Sequence, residues 1–144
     1  MSIEARDREQ RDFAAVPASA RAARTFVSAT LRAGGATTGV ISDYELVVSE
    51  LTANLIEHGD GSSLTVSVDV ADEQWWEVAV VGTTAAVGAP MMVAPATWTL
   101  AGPFEASGRG LGIVRQLMDQ VRTDSADGHV TIRCRRRRSL EIDG

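Results

Sequence analysis

Cysteine occurs once in the 144 residues, at Cys134. That excludes an internal disulfide and a cysteine-rich metal site, and it suits a reducing compartment. No His/Cys/Asp cluster has the spacing of a structural zinc site. No apolar run approaches the roughly 20 residues needed to span a bilayer. The charged opening MSIEARDREQRD also lacks the apolar core of a signal peptide. These absences together lead us to expect a cytoplasmic protein with no membrane partner. Internal repeats are missing as well. The formal net charge of −5 argues against general affinity for nucleic acid, in spite of RCRRRR at 133–138. Arginines at alternate strand positions usually form a solvated face. The length and an apolar fraction of 44% suit one globular domain over 1–144.

Along the chain, residues 1–10 read as a flexible lead-in, and FAAV (13–16) as a short edge strand before Pro17. Ser19 is placed to cap a helix that carries Ala23, Phe26, Val27 and Leu31 at helical spacing and stops at Gly34-Gly35. A second helix is expected from about Ser42 or Asp43 to His58, ended by Gly59. SLTVSVDV alternates with Leu64, Val66, Val68 and Val70 on one face, and WWEVAVV (75–81) follows as its hairpin partner. Trp75 and Trp76 then fall on opposite faces of that strand, one for the core and one for an outer contact. From Gly82 to Gly108 there is no period, and a stretch of that length is expected to be a lid or binding loop. SGRGLGIVRQLMDQV becomes a helix with Leu111, Val114, Leu117, Met118 and Val121 as its stripe. HVTIRCR (129–135) is a last strand with Val130, Ile132 and Cys134 inward, and 139–144 form a tail. This order predicts an α+β fold, a two-layer α/β sandwich with a mixed, mostly antiparallel sheet and helices on one face.

Two stretches carry chemistry. In SELTANLIEHG, Glu50, Asn54 and His58 recur every four residues. At about 100° per residue they make a slanted row bordering the face of Tyr44, Val48, Leu51 and Leu55. A carboxylate there can take a proton, and an amide oxygen beside it is a hard ligand suited to Mg²⁺. The same residue types also populate solvated helix flanks, and the helix alone does not choose. In SGRGLG, Gly108, Gly110 and Gly112 allow close backbone approach and positive φ, and the helix behind them offers N–H groups to a phosphate. A glycine-rich turn that packs helix on sheet would look similar.

Taken together, ELTANLIEHG resembles the N box of the GHKL ATPase superfamily, and GRGLGIV resembles its G2 box. The short chain and the ending GHVTIRCRRRR most resemble the small anti-sigma-factor serine/threonine kinases, over roughly residues 13–138. The resemblance implies Mg-ATP as cofactor and Glu50 as general base toward a partner's hydroxyl. It implies Asn54 as the Mg²⁺ ligand, with His58 at a common N-box position where it either contacts nucleotide or only packs. Gly108, Arg109, Gly110, Leu111 and Gly112 would line the phosphate end. It implies a sigma factor and a STAS-type antagonist as partners, and a homodimer.

One box departs from that pattern. The family's G1 box has an Asp for the adenine amino group after the second hairpin strand; here Gly82 stands in its place, followed by Thr83 and Thr84. Those two hydroxyls are the groups available to take over, directly or through water. No Asp occurs between Glu73 and Met118. The intervening AAVGAPMMVAPATWTLAGPF is uncharged and carries Met91, Met92, Val93, Trp98, Leu100 and Phe104. It reads either as a cover that completes the core or as a partner-binding surface. The leading expectation is an anti-sigma protein kinase. The alternative is a degenerate relative that only binds partners. The ATPase domain of a histidine kinase fits less well, because no dimerisation and phosphoacceptor segment is recognisable.

Overall fold

The computed structural model describes residues 8–58, 63–83 and 106–138. Among these residues the order is β1 (Arg8–Ala14), α1 (Ser19–Ala33), α2 (Thr38–His58), β2 (Ser63–Asp69), β3 (Trp75–Thr83), α3 (Ala106–Leu117), β4 (Gln120–Ala126) and β5 (His129–Arg137). The sheet runs β1-β2-β3-β5-β4, and all four pairings are antiparallel. The helices cover one face, as expected of an α+β sandwich.

The alternation along each strand decides which face is covered. Leu64, Val66 and Val68 of β2, Trp76, Val78 and Val80 of β3, and Val130, Ile132 and Cys134 of β5 are all buried beneath the helices. They meet Ala23, Phe26, Val27 and Leu31 of α1, Tyr44, Val47, Val48, Leu51 and Leu55 of α2, and Leu111 and Val114 of α3 in one core. Tyr44 does more than fill this stripe. Its hydroxyl lies 3.0 Å from both the Trp76 and the Cys134 carbonyl oxygens, so one phenol serves two neighbouring central strands. Desolvation raises the pKa of that phenol well above its ordinary value, with smaller upward pushes from Cys134 and Glu77.

Several boundaries differ from expectation, each for a local reason. β1 starts at Arg8, inside the expected lead-in, and ends at Ala14 instead of running through 13–16. Its alternation was hidden because Glu9 and Arg11 occupy positions on the helix side; Arg11 survives there by lying over the Phe26 ring at 4.8 Å. Ser19 does not cap α1. It is the helix's first residue, after Ala18, which supplies no side-chain cap. The far end follows a Schellman pattern. Gly35 takes φ +94, and the Gly35 and Ala36 N–H groups return to the Arg32 and Leu31 carbonyls at 3.0 Å. α2 begins at Thr38, before the expected Ser42, because Thr37 Oγ1 accepts the Val40 N–H at 3.3 Å.

The largest difference is at the other end of the chain. The third helix stops at Leu117, and Val121 belongs to a strand that was not anticipated. Met118 still packs in the core, while the Asp119 N–H already bonds the Arg135 carbonyl at 2.9 Å. β4 and β5 are joined by Asp127 (φ 53) and Gly128 (φ 78). Positive φ at both central residues is the type I′ turn that suits a two-residue hairpin. Gly59, Thr84 and most of the expected lid, including Met91, Met92, Val93, Trp98, Leu100 and Phe104, lie outside the described residues.

Candidate active site

Glu50 and Asn54 stand one turn apart on α2, on the side that faces α3. Asn54 is no flank residue; it is 2% exposed. Its Nδ2 donates to the Glu50 backbone carbonyl at 2.9 Å, which fixes the amide plane. Its Oδ1 is buried with no hydrogen-bond partner among the described residues. A buried polar oxygen left unpaired costs about 1–3 kcal/mol, so this atom is placed to accept a bond from water or to ligate a cation.

Glu50 is half-buried against α3. The contact requires glycine at position 110. A Cβ there would overlap Glu50 Oε1 outright and come within 2.9 Å of its Cδ. The carboxylate therefore rests on bare helix backbone. That is a use of the SGRGLG stretch different from the one expected. Gly110 and Gly112 are buried within α3, and the left-handed glycines among the described residues are Gly35 and Gly128. The glycines do permit close approach, but no positive φ is used at 110 or 112. Leu111, between them, is 1% exposed and belongs to the core. The backbones of Gly108 and Arg109 lie in the first turn of the same helix.

The remaining expected residues fall around this pair. His58 is the last residue of α2, with its side chain outside the described set. Gly82 is in β3, between Leu64 and Val130 in register. Thr83 is the final residue of β3, opposite His129. Gly82 sits under the end of α2. A Cβ would come within 2.9 Å of Leu55 Cδ2 and 3.3 Å of Leu64 Cδ2. The glycine at the expected Asp position is thus part of a tightly packed layer. A tie that sequence reasoning missed steadies α2 next to Glu50: Arg24 Nη1 of α1 donates to Ser49 Oγ at 3.2 Å, and Ser49 Oγ donates to the Glu45 carbonyl. No group of three or more His, Cys, Asp or Glu side chains capable of holding a metal occurs among the described residues. A cation here would rely on Asn54 Oδ1 together with ligand oxygens and water, which suits Mg²⁺.

The architecture agrees with what known proteins show. The family described as "Histidine kinase-like ATPase domain" matches residues 13–136. The chain belongs to this family. One relative is an "Anti-sigma F factor" of Pasteuria penetrans, 29% identical over 140 residues, with 88% of this chain and 87% of the relative covered. A crystal structure of the RsbU and RsbW domains of a Mycobacterium tuberculosis protein superposes with a TM-score of 0.65 at 17% identity, over 90% of this chain and 31% of the other. At that identity the likeness speaks for the fold alone, and this chain spans less than a third of the larger one. No helix among the described residues is long and apolar enough to cross a membrane.

Proposed function

We propose that this member of the histidine kinase-like ATPase family is an anti-sigma regulatory protein that binds Mg-ATP and phosphorylates a serine or threonine of an antagonist protein. The observation that carries the reading is the unpartnered Asn54 Oδ1, buried one turn from a carboxylate that is seated on Gly110. Asn54 Oδ1 would hold Mg²⁺, whose chemistry is to draw off negative charge from the phosphates as the γ-phosphoryl group leaves. Glu50 would accept the proton of the attacking hydroxyl, while the new bond forms from that oxygen to phosphorus and the bond to the departing diphosphate breaks. Gly108, Arg109, Gly110, Leu111 and Gly112 belong to the phosphate end. Of these, Leu111 serves by holding α3 on the core. His58, Gly82, Thr83 and Thr84 belong to the nucleoside end. The similarity to an anti-sigma F factor supports a sigma factor as the regulated partner; a STAS-type antagonist as the phosphoacceptor, a homodimeric assembly and a cytoplasmic setting complete the proposal.

A second reading has its own observation. Gly82 offers no carboxylate for adenine, and its surroundings are filled by Leu55 and Leu64. A chain that has given up nucleotide would keep the fold and act only by binding partners. Calorimetric titration with ATP and ADP, each with and without Mg²⁺, separates the two. Saturable, Mg²⁺-dependent binding is the expected result. No heat up to millimolar nucleotide would leave the partner-binding module.

A further inference from the structure

The face of the sheet turned away from the helices has a chemistry the ATPase reading does not use. At its β4–β5 corner a concavity of about 410 Å³ is lined by Glu77, Asp119, Gln120, Val121, Arg122, Arg133 and Arg135. Arg122 is directly opposite Arg133 in the antiparallel register. Directly opposed side chains start from Cβ atoms about 5 Å apart, and like charges so placed repel. The carboxylates nearby are already engaged. Glu77, 9% exposed, accepts from Arg135 Nε at 2.8 Å and lies 3.5 Å from Arg133 Nη1. Asp119 Oδ2 accepts the Arg137 N–H at 2.7 Å. Arg122 has no carboxylate within ion-pair distance among the described residues. Arg135 and Arg137 also flank the Trp75 ring, at 5.5 and 4.5 Å, which steadies this side of the corner. An acidic chain thus gathers guanidinium groups at one spot and sets two of their residues, Arg122 and Arg133, opposite each other in register.

We propose that this corner is a binding site for a phosphate-type oxyanion, held between Arg122 and Arg133 with Arg135 beside them. The planar forks of two arginines match the oxygens of a tetrahedral dianion, and the anion offsets the repulsion that Glu77, shared between Arg133 and Arg135, leaves between Arg122 and Arg133. The lining sets three guanidinium groups against the two carboxylates Glu77 and Asp119, a net positive charge, so the occupant it suits is an anion and not an apolar ligand. It lies on the opposite side of the sheet from Glu50 and Asn54, and it stands whether or not those residues bind nucleotide. The anion can arrive free in solution or as a phosphorylated side chain, and the two share this chemistry.

The test is a titration of the full chain with inorganic pyrophosphate at constant ionic strength, followed by amide shifts in NMR. O-phosphoserine replaces pyrophosphate in a parallel series. Saturable shifts centred on β4 and β5 are expected. Arg122→Gln and Arg133→Gln should each weaken binding by about tenfold or more, the loss of one charge-assisted contact, while Arg8→Gln, across the same face, should leave it unchanged. Arg122→Gln should also raise the melting temperature of the free protein, because it removes the like-charge pair, and abolish the further rise that pyrophosphate gives the wild type. Binding of pyrophosphate but not O-phosphoserine assigns the site to a free anion; binding of both admits a phosphorylated chain. Shifts confined to α2 and α3, no saturable shifts at β4 and β5, or an affinity indifferent to Arg122→Gln would overturn the proposal.

Discussion

Replacing Gly110 by alanine should have opposite effects on stability depending on the residue at position 50. Glycine inside a helix costs roughly 0.5–1 kcal/mol relative to alanine. In a Glu50→Ala background the added methyl meets no carboxylate, so Gly110→Ala should stabilise by about that amount. With Glu50 present the methyl overlaps Oε1 and crowds Cδ from 2.9 Å. The carboxylate must retreat by about 1 Å to regain ordinary contact. It is partly solvated and can move, at about 0.5–1.5 kcal/mol for a displaced rotamer and up to about 3 if the helices part. The coupling between the two substitutions should therefore be about 1–3 kcal/mol. Urea unfolding of the four proteins measures it, with m values compared to establish that each unfolds in the same manner. Effects of Gly110→Ala that agree in both backgrounds to within about 0.5 kcal/mol would refute the contact. If phosphoryl transfer is the activity, the same 1 Å shift should lower its rate about a hundredfold in Gly110→Ala.

Further expectations follow from the same geometry. Asn54→Ala removes the unpartnered oxygen, so it should abolish the Mg²⁺ dependence of nucleotide binding without destabilising the fold; calorimetry in magnesium and in chelator reads both. Gly82→Asp places a carboxylate against Leu55 and Leu64 and should cost about 3 kcal/mol or more; a variant as stable as wild type that binds ATP more tightly would show that the layer can open. The sequence has no lysine, so between pH 9 and 11 its titrating side chains are Cys134 and Tyr44. Desolvation raises both pKa values in the folded state, with an added upward push on Cys134 from Glu77. The unfolded chain then binds fewer protons than the folded one above the ordinary values of 9.0 and 10.0. Stability should fall with rising pH by about 1.4 kcal/mol per unit from the thiol, and twice that once the phenol joins. Cys134→Ala should remove the first part of the slope; an unchanged profile would show that the thiol does not titrate between the two states.

Much of the layer plan was legible because burial wrote it in two periods. Leu64, Val66 and Val68 alternate, as do Val130, Ile132 and Cys134, and Phe26, Val27 and Leu31 repeat as a helix. The row from Glu50 to Asn54 could be read from spacing, but spacing cannot tell a bordering residue from one that is 2% exposed. β4 was missed because Val121 continues the stripe of α3, and period alone does not mark where a helix stops. The Asp127-Gly128 pair was the available signal for a hairpin and should have outweighed that stripe. Of β1 only the end was legible, as the edge strand expected at FAAV; its start at Arg8 rests on pairing with β2, which local sequence does not contain. Nor could sequence show that Gly110 seats a side chain sixty positions earlier.

That seat has a consequence for the order of assembly. The β2–β3 and β4–β5 hairpins are local and close cheaply, whereas β1 and β2 are separated in sequence by α1 and α2, and β3 and β5 by α3 and β4, so those pairings close over long stretches of chain. Glu50 is introduced to Gly110 by these late unions. A nascent or partly opened chain can own every residue of the site and still have no site, so any competence toward a ligand switches on with completion of the central sheet. Whatever loosens the β3–β5 seam should part Glu50 from Gly110 without touching either.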